Sequence, residues 1–165
     1  MKLPMPLLIH NQIKKNGFSL IELLISVTIL MLIVGGSLAS YITFNEKQQL
    51  TGAAKELQTY FRSAQTRARS GDVPAGCTTL TGYSVQIPQD TSIVTTRAVC
   101  DSGDVIRSTN TLTGSATPNT AVDVTFNVLK GGVVGAQNIT LVLGSRSYTF
   151  AVTAGGEITQ GSLNE

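Results

Sequence analysis

Glu22 is the only charged residue between Phe18 and Phe44, and Gly17 stands immediately before that run, behind Lys14, Lys15 and Asn16. This places the Gly17–Phe18 peptide bond at the boundary between a basic segment and an apolar one. An ordinary secretory signal carries its small-residue cleavage site after the apolar core. Here the small residue comes first, and only Ser37-Leu38-Ala39 offers a weak site beyond the core. Cleavage after Gly17 would discard the lysines, keep the apolar segment and give Phe18 a free α-amine. Such an amine is positively charged at neutral pH, and it would lie one helical turn from Glu22. A carboxylate inside a membrane helix costs roughly a few kcal/mol near the centre and less near an end, so it persists where it has a partner. Glu22 can meet the amine of its own helix, or the amine of an adjoining copy. Both pairings lower the cost of burial, and the second also fixes the axial register between copies.

The remaining reactive side chains give little to catalysis. Cys77 and Cys100 both follow the apolar run. An even pair outside a membrane reads as a disulfide, with two reduced, buried thiols as the alternative. The sole histidine is His10, so a chain starting at Phe18 has no His-based metal site or triad. No Gly-x-Ser-x-Gly elbow occurs. Asp101-Ser102-Gly103-Asp104 offers oxygens for calcium, but such a site takes about six or more, and a solvated turn is the simpler reading. Asn138-Ile139-Thr140 fits a glycosylation sequon at an expected strand start. The expectation is a non-enzyme with no cofactor and no metal.

The elements that position these residues follow from hydropathy. Phe18 to Val34 as a helix spans roughly 25 Å, and continuing to Phe44 gives roughly 40 Å, enough for a bilayer core of about 30 Å. After Phe44 the pattern turns amphipathic. Leu50, Ala53, Ala54, Leu57, Tyr60, Phe61, Ala64 and Ala68 follow helical spacing, with Lys47, Thr51, Lys55, Gln58, Arg62, Gln65 and Arg69 opposite. Arg67 and Arg69, then Gly71 and Pro74, mark the end near Ser70. Gly35 and Gly36 interrupt the stalk at about 0.8–1 kcal/mol each relative to alanine. They mark a point of bending or local unwinding, or a site of close helix–helix contact.

Residues 72–165 read as short strands: Tyr83–Ile87, Ser92–Val99, Ala121–Val128, and a hairpin of Ile139–Leu143 with Ser147–Val152 around Gly144-Ser145-Arg146. Lys130-Gly131-Gly132 and Gly155-Gly156 make turns, and Glu157-Ile158-Thr159 is a last short strand. The expected fold is α+β, a long helix packed on one small antiparallel sheet. Such a sheet needs cover, which Leu57, Tyr60 and Phe61 supply. A Cys77–Cys100 bridge would tie the loop after the helix to the second strand, adding about 3 kcal/mol.

Of the twelve Lys and Arg, three (Lys2, Lys14 and Lys15) precede Phe18, leaving nine against ten acidic residues. The basic pI therefore belongs to the first segment and gives no reason to expect a nucleic-acid partner.

Lys14-Lys15-Asn16-Gly17-Phe18-Ser19-Leu20-Ile21-Glu22-Leu23-Leu24 resembles the cleavage and methylation motif of type IV prepilins and of the pseudopilins of type II secretion. The resemblance implies a leader at 1–17, cut by prepilin peptidase between Gly17 and Phe18, with N-methylation of Phe18. It implies a transmembrane and assembly helix at 18–44, its amphipathic continuation at 45–71 and an extracytoplasmic β-rich head at 72–165. Glu22 would support docking of subunit on subunit. The partners implied are prepilin peptidase, other pilin or pseudopilin subunits, an inner-membrane assembly platform and membrane lipid. The place implied is the cytoplasmic membrane, single-pass, with the head outside the cytoplasm and the chain built into a filament. Ala64-Gln65-Thr66-Arg67-Ala68 and the closing segments Val124-Thr125-Phe126, Ile139-Thr140-Leu141 and Gly155-Gly156-Glu157-Ile158 are similar to the GspH/FimT-type minor pseudopilins. Where that family often has Gly-Arg-Ile or Gly-Arg-Val, this chain has Gly156-Glu157-Ile158. A minor pseudopilin, a pilin of a type IV pilus or DNA-uptake filament, and a membrane-tethered binding protein that never polymerises are the readings that follow.

Overall fold

In the computed structural model the described residues are 19–129 and 132–164, the side chains of 36–40 excepted. The chain divides into two units, 1–40 and 41–165. Helix α1, Leu20–Ser70, contributes to both. It runs through Gly35 and Gly36 without a break in helical structure, and a Cβ at Gly35 would meet nothing within 4 Å.

In the second unit α1 buries Leu50, Ala53, Ala54, Leu57, Phe61, Ala64 and Ala68. Their spacing of three and four residues puts them on one stripe. The helix stops at Ser70 through a paired C-terminal cap. Gly71 N–H donates to Ala68 O at 3.3 Å and Asp72 N–H to Arg67 O at 3.2 Å. Gly71 has φ 64°, the left-handed conformation in which glycine escapes the Cβ penalty.

The strands are β1 (Leu80–Ile87), β2 (Ile93–Cys100), β3 (Val105–Thr111), β4 (Thr117–Pro118), β5 (Val122–Asn127), β6 (Val133–Val134), β7 (Gln137–Leu143), β8 (Arg146–Val152) and β9 (Ser162–Asn164). They form two antiparallel sheets, of order β3-β2-β1-β5-β6 and β4-β7-β8-β9, where the sequence predicts one. A single ring reaches both sheets. Phe61 of α1 meets Phe126 of β5 edge-on at 6.3 Å between centroids, and Phe150 of β8 at 6.1 Å. One aromatic wedge thus packs on both sheets, whose inward faces share the same core. The chain changes sheet three times, before β4, after β4 and after β6, and Asn119 N–H, donating to Thr140 O at 3.1 Å, extends the β4–β7 pairing.

The expected strands β1, β2, β5, β7 and β8 are present. Strand β3 lacks a buried face, so it carries no alternation to read. The last strand lies at Ser162–Asn164, whereas Glu157–Thr159 contributes only a bridge from Ile158 to Val152. Gly144 has φ 62° and heads the two-residue turn of the β7–β8 hairpin, as a type II′ turn requires. Of the expected turn Lys130-Gly131-Gly132, the first two residues lie outside the described ones.

Candidate functional site

The described part of the amino-terminal segment begins at Ser19, whose carbonyl accepts the Leu23 N–H at 3.1 Å. Gly17 and Phe18 lie outside the described residues. From there to Gly35 every side chain is exposed on the isolated chain. Leu20, Leu30, Met31 and Leu32 are 83%, 64%, 68% and 78% exposed, and they point to different sides of the helix. A helix apolar on all sides needs lipid or other helices around it. Two of its hydroxyls are already satisfied: Ser26 Oγ donates to Glu22 O at 2.7 Å and Thr28 Oγ1 to Ile25 O at 2.8 Å. Back-bonding of this kind removes the demand for outside partners. Glu22 is left as the single charge of the segment, in the first turn of α1. There a carboxylate also benefits from the positive end of the helix dipole.

Among the described residues no helix is long and apolar enough to cross a membrane.

The head is tied to the second half of α1 by groups that the amphipathic pattern does not reveal. Arg146, at the hairpin, donates to Thr43 O at 2.8 Å and pairs with Glu46 at 3.4 Å. Glu56 accepts from Thr113 Oγ1 at 2.7 Å, from Thr113 N–H at 3.0 Å and from Tyr60 OH at 3.1 Å. Burial alone would raise the Glu56 carboxyl, but these donors outweigh it and hold it below its ordinary range. Tyr60 is pushed up, by burial first and then by its bond to Glu56. Gln58 and Gln65, expected on the solvent side, instead reach the last segment of the chain. Gln58 Nε2 donates to Thr159 O at 3.3 Å and Gln65 Nε2 to Gly156 O at 2.6 Å. Their long amides place the polar end past the apolar stripe, a reach that spacing does not report.

At the end of α1, Asp72 accepts from Tyr83 OH at its carbonyl (2.7 Å) and carboxylate (3.3 Å), and faces Arg67 at 3.5 Å and Arg107 at 4.0 Å. Burial, then the Asp72 charge, raises Tyr83. Cys77 and Cys100 are joined in a disulfide with Cα atoms 5.6 Å apart, linking the loop after α1 to the end of β2. Asp101 and Ser102 form the β2–β3 turn, and Asp104 is engaged by Arg97 at 3.3 Å. No three His, Cys, Asp or Glu among the described residues stand close enough to hold a metal ion.

A long amino-terminal helix ahead of antiparallel sheets is consistent with a pilin-like α+β fold. Residues 13–38 match the family model described as the prokaryotic N-terminal methylation motif. The match supports a type IV prepilin-like chain. It indicates a pilin-like or pseudopilin substrate of prepilin peptidase, and it implies assembly with other pilins. No curated protein and no solved structure matches the chain.

Proposed function

We propose that this chain is a structural subunit of a type IV pilus-like filament and acts as a minor pseudopilin of a type II secretion system. The observation that carries the reading is the stretch of α1 from Leu20 to Gly35, exposed on every side and lying within the matched methylation motif. Prepilin peptidase hydrolyses the Gly17–Phe18 amide, releasing 1–17, and a sulfonium methyl donor passes its methyl group to the new Phe18 amine, which loses a proton as the donor leaves as a thioether. A secondary amine remains basic, so the end stays positive and pairs with Glu22 of its own or an adjoining subunit. Before assembly the segment 18–44 crosses the cytoplasmic membrane. Afterwards its apolar surface is covered by neighbouring helices, with Gly35 and Gly36 as the place where it bends. The short similarities of the α1 end and the closing strands to GspH/FimT-type chains support the pseudopilin assignment. The chain is no enzyme in this reading; its activity is assembly.

Mass spectrometry of the native protein tests it. The expected amino-terminal peptide begins with N-methyl-Phe18, and recovery of the chain with 1–17 still attached overturns the filament reading. Loss of secretion on deletion separates a pseudopilin from a pilus or DNA-uptake subunit.

A further inference from the structure

The outward face of α1 in the second unit carries Lys55, Arg62 and Arg69, all exposed. Their seven-residue spacing sets them on one line, about 10 Å apart. None has a carboxylate partner among the described residues. The acids of the same helix half are already engaged, Glu46 by Arg146 and Glu56 by Thr113 and Tyr60. Between Lys55 and Arg62 lies a groove of about 400 Å³, bounded further by Thr59, Tyr148, Gln160 and Gly161. A Cβ at Gly161 would collide with the Tyr148 ring, so this wall of the groove requires glycine. The Tyr148 hydroxyl has no hydrogen-bond partner among the described residues. Two unpaired cations and a free phenol around one groove offer donors and no negative charge.

We propose that this groove receives an acidic segment of a different subunit, with two carboxylates about 10 Å apart, one against Lys55 and one against Arg62. Three residues of extended chain cover about that distance, as do seven of a helix. The proposal rests on the filament reading and names the chemistry of its partner.

A second copy does not fit through its described segments. Among the described residues Asp90, Asp101, Asp123 and Glu157 stand singly on separate segments, and Asp123 already accepts from Gln86. Asp101 and Asp104 have the right separation in sequence, but a tight turn, with Gly103 N–H on Cys100 O at 3.1 Å, folds the segment back. Asp104 is also held by Arg97. Glu22 is the lone acid of its segment. No described segment of this chain presents two free carboxylates at the required spacing, whereas two copies meeting face to face would set cation against cation. The groove therefore selects a heterologous neighbour, as like charges exclude the wrong partner.

The test is photo-crosslinking from a benzophenone amino acid at Thr59, in the full chain, in the producing cells, with peptide identification from isolated filaments. The expected adduct is a peptide of another subunit carrying two acidic residues three apart in an extended run or seven apart in a helix. In Lys55→Glu/Arg62→Glu the adduct falls by about tenfold or more, and lysines at the partner's two acids restore it. Lys55→Gln/Arg62→Gln removes charge without reversal and gives an intermediate loss, which keeps the test open if the reversal variant misfolds. A chain found in filaments with methylated Phe18, yet crosslinked only to itself or unchanged by both charge variants, overturns the groove and leaves the filament reading standing. A chain absent from filaments and unmethylated overturns both.

Discussion

Glu56 gathers two donors from Thr113 and one from Tyr60, and so joins the helix to the loop before β4. Its carboxyl is held below the ordinary value of 4.5. Depression in the folded state means that the ionised form is favoured there. The stabilisation is fully present above the unfolded value and is lost as pH falls through the lower, folded one. Glu56→Gln is expected to destabilise the head by about 1 kcal/mol at neutral pH, since hydrogen bonds to a charged acceptor weaken and the site stays partly wet. In urea titrations the gap between the two proteins should narrow below pH 4.5; a gap independent of pH rejects the assignment. In the proposed subunit Glu22 pairs with the Phe18 amine of its own or an adjoining chain instead. Glu22→Ala removes one exposed carboxylate in the first turn of α1 and should leave the head's melting temperature unchanged. It should cut the fraction of subunits in isolated filaments several-fold, because the partner amine is left without its counter-charge. Normal incorporation speaks against a register role.

Helix α1 was legible from residue pattern alone because two periodic signals join end to end, uniform apolarity and then a stripe of three-and-four spacing. Its end was legible because Gly71, the arginines before it and Pro74 each have a local physical reason to be there. The central strands β1, β2, β5, β7 and β8 could be read because one face is buried and alternation reports that. Edge elements could not: β3 buries neither face, and β4 and β6 span two residues each. The splitting of the strands into two sheets was also hidden, because it depends on which distant strands hydrogen-bond to one another. The inward turn of Gln58 and Gln65 and the use of Arg146 against Thr43 and Glu46 depend on partners 91 to 103 residues away in sequence. No local pattern carries that information. Phe61 touches β5 and β8 at once, so Phe61→Ala should cost more than a substitution serving one sheet. Truncation of a fully buried Phe costs about 3–5 kcal/mol, and here it opens the seam between both sheets. Thermal unfolding should fall steeply for Phe61→Ala and much less for Phe61→Leu; equal melting of wild type and Phe61→Ala rules out the wedge.

In the proposed subunit the Cys77–Cys100 disulfide bears on which side of the membrane the head occupies. Lys14 and Lys15 before the apolar segment favour a cytoplasmic start. A single crossing then puts Cys77 and Cys100 outside, where an oxidising environment lets the bridge form and persist. The bridge closes a loop with a sequence separation of 23, and the chain-entropy account gives it about 3 kcal/mol. A reversed topology would leave both thiols reduced and the head weaker by a similar amount. Labelling of the native chain with a membrane-permeant, mass-tagged maleimide should add nothing without reductant and two tags per chain after reduction and unfolding. Cys77→Ser/Cys100→Ser should lower the head's stability by about 3 kcal/mol while leaving processing at Phe18 intact. The cleaved bond lies before α1 and makes no use of the head. Two tags on the unreduced native protein would place the head in a reducing compartment, and a filament subunit with an exported head could not then be the right description.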